Sequence, residues 1–285
     1  MIIHLNGELI PLDRARISPF DRGFLFGDGI YEGLRAFGGR IVGMPLHIER
    51  LRSGLREARI PWDAAALGPL SQALLKANNL ADAFIYWQVT RGVPAPGQPV
   101  RTRILSGAIR PTVFGYCVGA PPLSSYTTPP IKTAITTPDL RWLRGRIKST
   151  SLMGSVISAA EADEAGAEDA IMVRDGLAAE GTAANLFVAI PGPDGQTQIA
   201  TPSLESVPIL EGVTRDILLR AMPQIASRPV TERELLSATE VMLAGTMTMV
   251  TSIVILNGRP VGDGTPGPIA RQLLQTLVRE IGRGA

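Results

Sequence analysis

The chain has 285 residues, of which 45% are hydrophobic, and a formal net charge of +2. This length is enough to bury a core in one large domain or two modest ones. The weak charge and the low aromatic content argue against nucleic acid as the main partner. With one cysteine and two histidines, the chain can form no internal disulfide and offers little material for a metal site.

Neither a targeting segment nor a membrane span is predicted. The first residues contain no basic region before an apolar run, and the longest apolar stretch, residues 241–256, is interrupted by threonines, a serine and a glycine. Such a stretch is typical of buried strands and a turn rather than of a transmembrane helix. We therefore expect a cytoplasmic protein with no membrane partner.

Turn signals divide the first part of the chain into strands and helices. Asn6-Gly7 and Gly38-Gly39 each predict the turn of a hairpin. A helix is predicted to begin at Pro45, and Asp63 is a candidate cap for a second helix. The predicted strand regions of this part are residues 2–10 and 30–43, both as hairpins, then 84–91 and 106–119.

A proline-rich connection predicts a domain boundary. Residues 120–130 contain prolines and serines that favour an extended linker. We therefore predict domains at residues 1–119 and 131–285, with 120–130 as the linker between them. The elements predicted in the second domain are helices over 151–165 and 268–281, hairpins over 170–190 and at Asn257-Gly258, and a capping box at Thr231–Glu234. Strands and helices interleave in both halves, so the predicted fold class is α/β or α+β.

Three residue types point to a phosphorylated cofactor. Gly212 opens a predicted helix whose first N–H groups have no intrahelical partner and can bind an anion. Glu180 supplies a carboxylate at the end of a hairpin. Lys148 supplies an amine that desolvation or the nearby cations Arg144 and Arg146 could make nucleophilic. From spacing alone, ordinary surface positions are the more common interpretation of Lys148 and Glu180.

Longer motifs add a resemblance to a known family. They are residues 21–32, 47–51, 141–149, 180–187, 199–201 and 210–215, in that order. Together they resemble the class-IV (fold-type IV) pyridoxal-phosphate aminotransferases, and the similarity covers nearly the whole chain. That family includes D-amino-acid and branched-chain aminotransferases, (R)-amine transaminases and aminodeoxychorismate lyase.

The resemblance implies a fold, a cofactor and roles for individual residues. The implied fold has a small N-terminal α/β domain and a larger C-terminal α/β barrel-like domain, with pyridoxal phosphate between them, and the implied assembly is a homodimer. Lys148 would be the Schiff-base lysine, Glu180 the partner of the ring nitrogen and Arg50 the phosphate clamp. The other implied contacts are Leu210, Gly212, Val213, Thr214, Thr246 and Met247 with the cofactor, and Tyr31 and Tyr86 with the substrate. Ordinary core packing would also explain Leu210 and the two tyrosines.

Motifs of two branches of the family occur together, so the substrate stays open. Residues 86–92 resemble the D-amino-acid branch, but the Arg-x-His pair that usually follows is absent from residues 93–98. Residues 29–37 resemble branched-chain members instead. Arg101 and Arg103 are candidates for the contact with the substrate carboxylate. We predict transfer of an amino group from a D-amino acid to a keto acid such as pyruvate or 2-oxoglutarate. The alternatives are a branched-chain L-amino-acid aminotransferase, an (R)-amine transaminase and aminodeoxychorismate lyase.

Overall fold

The computed structural model describes residues 1–104, 109–192 and 195–285. Within these residues the chain forms two compact units. The first unit comprises Met1–Leu123 together with Ile147–Leu152, and the second comprises Ser124–Arg146 together with Met153–Ala285.

The first unit is an antiparallel sheet with helices packed on one face. Its strands and α-helices are β1 (Ile2–Leu5), β2 (Glu8–Pro11), α1 (Arg22–Phe26), β3 (Gly29–Phe37), β4 (Arg40–Ile41), α2 (Met44–Ala58), α3 (Leu67–Asn78), β5 (Ala83–Thr90) and β6 (Thr112–Gly119). The strand order is β2-β1-β6-β5-β3-β4. The apolar residues of α2 and α3 form one core with the inner face of this sheet.

Alternation along β5 separates the two faces of the sheet. Ile85, Trp87 and Val89 are fully buried, whereas Tyr86 and Gln88 between them are half-buried, as a strand with one covered face requires. The Trp87 indole donates to Ser71 Oγ of α3 at 2.8 Å, which satisfies its buried N–H group. The half-buried face carries the aromatic residues of the candidate site.

The local signals of this unit are confirmed. Asn6, Gly7, Gly38 and Gly39 all have positive φ angles, which these turns need. Asp63 accepts a hydrogen bond from Ala65 N–H at 2.9 Å and begins a short turn that leads into α3. The strand predicted over residues 106–119 is found at β6, and residues 106–108 lie outside the described part of the chain.

The segment Ile147–Leu152 belongs to the first unit, although its neighbours in sequence belong to the second. Tyr31 N–H donates to the Lys148 carbonyl at 2.9 Å, and Thr150 N–H donates to the Gly29 carbonyl at 2.9 Å. The segment is therefore bonded along β3. The predicted domain ranges placed it with residues 131–285; the structure differs here because long-range backbone pairing outweighs proximity along the chain.

The second unit is built on a larger sheet. Its strands and α-helices are β7 (Ile131–Pro138), α4 (Met153–Glu164), β8 (Asp169–Arg174), β9 (Leu177–Gly181), β10 (Asn185–Pro191), β11 (Thr197–Thr201), α5 (Val213–Ala221), β12 (Ala226–Ser227), α6 (Glu232–Leu236), β13 (Glu240–Gly245), β14 (Met249–Leu256), β15 (Arg259–Pro260) and α7 (Pro268–Arg283). The strand order is β12-β11-β10-β13-β14-β7-β8-β9, and β15 pairs with β14.

One additional pairing closes this sheet into a barrel. Glu180 of β9 lies opposite Asn185 of β10, so β10, β13, β14, β7, β8 and β9 follow one another around a ring. Both faces of its strands are covered, since the consecutive residues Val241, Met242 and Leu243 are all fully buried. The predicted α/β fold with a barrel-like second domain is confirmed.

Most turn and cap signals of this unit are also confirmed. Asp175 and Gly176 have positive φ angles between β8 and β9. The Thr231 side chain accepts from Glu234 N–H, and the Glu234 carboxylate accepts from Thr231 N–H, which completes the predicted capping box. The hairpin predicted over residues 170–190 is instead three successive strands. Among the described helices, none combines the length and the apolar character needed to span a bilayer.

Candidate active site

Lys148 is held beside Tyr31 by the backbone of the first unit. Its Nζ donates to the Tyr31 hydroxyl at 3.3 Å and lies 4.3 Å from the centre of the Tyr31 ring. The Thr150 hydroxyl donates to the Gly27 carbonyl at 2.9 Å, which anchors the chain just after the lysine. Lys148 is half-buried. A partly desolvated amine fixed in this way has the character expected of a nucleophilic lysine.

A fully buried carboxylate fixes Arg50. Glu32 of β3 accepts from Arg50 Nε at 2.8 Å and from Arg50 Nη2 at 2.7 Å, and its Oε2 lies 2.7 Å from His47 Nδ1. Burial alone would raise the pKa of Glu32, but the charge and hydrogen bonds of Arg50, and then those of His47, lower it to about 2. Burial lowers the pKa of His47, and Glu32 opposes that effect. Arg50 is therefore a fixed cation on α2 in the unit that carries Lys148.

Aromatic rings line the half-buried face of the first sheet. Tyr31 stacks on Tyr86 with ring centres 5.7 Å apart, and Tyr86 contacts Tyr116 at 5.3 Å. Burial, followed by the neighbouring tyrosines, raises the pKa of Tyr86 to about 12, so its phenol stays neutral. Its hydroxyl donates to Gln88 Oε1 at 2.9 Å. The structure thus brings Tyr31, Tyr86 and Lys148 together.

The two arginines proposed to bind a substrate carboxylate lie on the surface. Arg101 and Arg103 are both exposed. The Arg101 guanidinium lies over the ring of Phe26, 5.2 Å from its centre. Phe26 also contacts the guanidinium of Arg22 at 4.7 Å, so this ring lies against two cations. The role of Arg101 and Arg103 stays a prediction.

Glu180 is buried in the second unit and receives hydrogen bonds on both oxygens. Arg141 Nη1 donates to Oε1 at 2.6 Å, and Asn185 Nδ2 donates to Oε2 at 3.0 Å. The backbone N–H of Leu210 lies 3.3 and 3.2 Å from the two oxygens. All of these partners are N–H donors. N–H donors on both oxygens favour the ionised form of this carboxylate.

Asn185 joins Glu180 to the start of α5. Its Nδ2 also donates to the Leu210 carbonyl at 2.9 Å. A Cβ atom added at Gly212 would overlap the Asn185 amide oxygen, so a larger residue there would displace the Asn185 side chain. Within the described residues no side chain caps α5 at Gly212. The first turn, which includes Val213 and Thr214, therefore offers the N–H groups expected of an anion site.

Arg215 anchors the beginning of α5 to the neighbouring chain segments. It is buried and donates Nη2 to the Pro202 carbonyl and to Ser227 Oγ, both at 2.9 Å, and Nε to Thr201 Oγ1 at 3.3 Å. The Thr201 hydroxyl in turn donates to the Leu186 carbonyl at 2.7 Å. Two motif positions without a predicted role, Thr201 and Arg215, thus connect α5 to the barrel strands.

Thr246 and Met247 lie in the turn between β13 and β14. Thr246 is half-buried, and Met247 is 47% exposed. The turn begins at Gly245, where an added Cβ would lie 3.2 Å from the Ala184 side chain. The turn therefore packs against the segment that joins Glu180 to Asn185. Contact of Thr246 and Met247 with a cofactor stays a prediction.

Several residues of the site were not identified from sequence. Glu32 and Asn185 lie inside motifs that we recognised, but nothing in their spacing reveals their partners. Asp139 and Arg141 form a second buried pair, in which Arg141 Nε and Nη2 donate to the Asp139 carboxylate at 2.9 and 3.1 Å. Asp139 and Arg141 follow the end of β7 at Pro138, and their spacing gives no signal of this pairing.

The chain is similar to known proteins along most of its length. The family model described as "Amino-transferase class IV" matches residues 29–256. A D-alanine aminotransferase of Bacillus licheniformis is 32% identical and aligns with 99% of this chain and 97% of its own length.

Solved structures show the same fold. A branched-chain aminotransferase of Thermoproteus uzoniensis, solved with norvaline, superimposes with a TM-score of 0.84 at 23% identity, over 98% of this chain and 94% of that one. A hypothetical aminotransferase of Mycobacterium tuberculosis in its PLP-bound form gives a TM-score of 0.78 at 20% identity, over 97% of both chains.

The buried Glu32 makes a pH-dependent contribution to stability. Its pKa falls from 4.5 to about 2 on folding, so its stabilisation is complete above pH 4.5 and is lost as the pH falls towards 2. Glu32→Gln should lower the free energy of unfolding at neutral pH by about 3 kcal/mol, measured by urea unfolding. The deficit should shrink as the pH falls through this window.

The matched control is Glu49→Gln. Glu49 lies on the same helix as Arg50 and pairs with Arg52, but its side chain is 62% exposed. Its loss should cost less than about 1 kcal/mol. A deficit for Glu32→Gln that is equal at all pH values would contradict the assigned pKa.

Proposed function

Because this chain belongs to the class-IV aminotransferases, we propose that it transfers an amino group from a D-amino acid to a 2-keto acid. Its reaction is transamination and its cofactor is pyridoxal phosphate. Support for the D-amino acid comes from the D-alanine aminotransferase of Bacillus licheniformis, similar along 99% of this chain. The branched-chain relatives of known structure are below 25% identity and share the fold.

The donor set of the chain suits a phosphorylated pyridine. Glu180 is a buried carboxylate with N–H donors on both oxygens, suited to hold the proton of the ring nitrogen. The uncapped start of α5 at Gly212 and the fixed cation of Arg50 suit a phosphate. Lys148 supplies the amine.

We assign the following roles in the reaction to these residues. Bound pyridoxal phosphate supplies an electron sink for the pair released when the substrate Cα–H bond breaks. Lys148 would hold the cofactor, and its Nζ would accept the proton that leaves the substrate Cα. The Tyr31 hydroxyl orients Nζ through the 3.3 Å hydrogen bond. Glu180 keeps the ring nitrogen protonated. Since the two substrates use one site in turn, the kinetics should be ping-pong.

A homodimer is the proposed assembly. On α4, Met153, Val156 and Ile157 form an apolar stripe that is 49–70% exposed. Residues at this spacing share one face of a helix, and an apolar face of this kind marks an interaction surface. We propose that a second copy of the chain covers it. The cytoplasmic location expected from sequence stays a prediction.

The lysine assignment can be tested directly because the chain has only three lysines. Borohydride reduction of the cofactor-loaded protein should fix the cofactor on Lys148, identified by peptide mass spectrometry. Lys148→Ala should lose both the label and turnover. Lys76→Ala and Lys132→Ala serve as controls and should keep both. Label on Lys76 or Lys132 would refute the assignment.

Substrate choice should depend on the surface arginines. In a panel of D-amino acids, L-amino acids and (R)-amines against pyruvate and 2-oxoglutarate, D-alanine and D-glutamate should be preferred. If Arg101 or Arg103 binds the substrate carboxylate, its substitution by alanine should cost about 2–5 kcal/mol in kcat/KM for D-amino acids. The same variant should leave (R)-1-phenylethylamine, which has no carboxylate, nearly unaffected. Robust activity on L-leucine and none on any D-amino acid would move the protein to the branched-chain branch.

The dimer proposal predicts the effect of charge on α4. Light scattering after size exclusion should give twice the chain mass of 30.3 kDa. Val156→Glu combined with Ile157→Glu should give a monomer, because the buried carboxylates would lack partners. Gln275→Glu on α7, an exposed position, is the control and should stay dimeric. A wild-type chain that remains monomeric at assay concentration would contradict the proposal.

A further inference from the structure

Arg141 connects two buried carboxylates of the second unit. Its Nε donates to Asp139 Oδ1 at 2.9 Å and its Nη2 donates to Asp139 Oδ2 at 3.1 Å, which is a two-point fork. The remaining terminal nitrogen, Nη1, donates to Glu180 Oε1 at 2.6 Å. One guanidinium is therefore shared between Asp139 and Glu180 without competition for a donor.

The surroundings leave Arg141 little freedom to move. The Asp139 side chain is fully buried and also pairs with Arg174 at 3.2 Å. Arg174 Nη2 donates to the backbone carbonyl of Arg141 at 2.6 Å. Asp139 N–H donates to the carbonyl of Val173 at 2.7 Å, and Val173 precedes Arg174 in strand β8. Both the backbone and the side chain of Arg141 are thus held from β8.

We infer that Arg141, held by Asp139, is a positioning residue that keeps Glu180 ionised and fixed in rotation so that the proton stays on the cofactor ring nitrogen. The inference rests on the proposed role of Glu180. A cation in contact with Oε1 stabilises the carboxylate form of Glu180. Stabilising that form lowers the tendency of Glu180 to take the ring proton. Loss of the cation should therefore move the proton away from the ring nitrogen.

The charge balance of the cluster agrees with this role. The hydrogen bonds and charges of Asp139 and Glu180 outweigh the effect of burial and raise the pKa of Arg141 above its ordinary value. Burial opposes ionisation of Asp139, but the hydrogen bonds and charge of Arg141 and the hydrogen bond of Arg174 lower its pKa. Asp139, Arg141 and Glu180 thus form one cluster of charged side chains. Within it, Glu180 contacts both Arg141 and Asn185.

The protonation state of the cofactor ring nitrogen can be measured directly. Wild-type protein and Arg141→Met are loaded with pyridoxal phosphate isotope-labelled at the ring nitrogen, and the NMR chemical shift of that nitrogen is recorded at neutral pH. The wild type should give a protonated ring nitrogen, and Arg141→Met a clear shift towards the unprotonated value. Arg141→Lys, which keeps the charge but not the fork, should restore most of the wild-type shift. Arg141→Gln replaces the methionine variant if that variant does not fold.

Cofactor affinity supplies a second readout. Arg141→Met should bind pyridoxal phosphate roughly tenfold more weakly, the scale for one hydrogen bond to a charged group. An analogue with C–H in place of the ring nitrogen should bind both proteins equally. Arg91→Met is the matched control, because Arg91 makes a similar fork on Asp28 in the first unit. Arg91→Met should leave the chemical shift of the ring nitrogen unchanged. It should also leave unchanged the ratio of the affinities for pyridoxal phosphate and for the analogue.

Each contrary outcome has a distinct meaning. A wild-type chemical shift in Arg141→Met, or equal weakening of both ligands, would overturn the inference. Glu180→Gln separates this failure from failure of the proposed function. If Glu180→Gln alters the chemical shift and Arg141→Met does not, Glu180 keeps its role and the inference about Arg141 is wrong. If neither variant alters it, the assignment of Glu180 fails as well.

Discussion

The closure of the barrel at Glu180 and Asn185 is the constraint on which the second unit depends. Backbone pairing at this point joins the last strand of the ring to the first, and the Asn185 side chain adds a hydrogen bond to the Glu180 carboxylate at 3.0 Å. The same amide nitrogen also donates a hydrogen bond to the carbonyl of Leu210, shortly before α5. One residue, Asn185, therefore contacts both the buried carboxylate and the segment that leads into α5. A functional group placed at a seam of the fold is held more rigidly than one at the end of a free loop.

Each of the two units stabilises the charge of a buried glutamate with an arginine. Each contains a buried glutamate, Glu32 or Glu180, that would be costly to ionise alone. Each glutamate is stabilised by an arginine held in a two-point geometry: Arg50 grips Glu32 itself, whereas Arg141 grips Asp139 and extends its third nitrogen to Glu180. In the first unit the glutamate therefore serves to fix the arginine. In the second unit the arginine serves to fix the glutamate.

Local features were predictable because their causes are local. Asn6-Gly7 dictates its turn, Thr231 and Glu234 cap their own helix, and the strand alternation around Trp87 follows from the pattern of apolar residues. Lys148, Glu180 and Gly212 became candidates because long motifs surround them. The partners of these residues were not found, since Arg141 and Glu180 are 39 positions apart and their pairing depends on how the strands are arranged. The pairing of Glu180 with Asn185 that closes the barrel, and the placement of residues 147–152, were not predicted for the same reason.

The excursion of Ile147–Leu152 into the first unit has a consequence for how this protein can be divided. A fragment that ends at Leu123 would contain Tyr31 and Arg50 but not the lysine, and the complementary fragment would carry the lysine on a segment deprived of β3. Neither half can be transplanted as an autonomous module with its chemistry intact. Recombination between relatives is therefore constrained: a crossover between the halves would have to exchange β3 and residues 147–152 as a compatible pair, so the two should be inherited together.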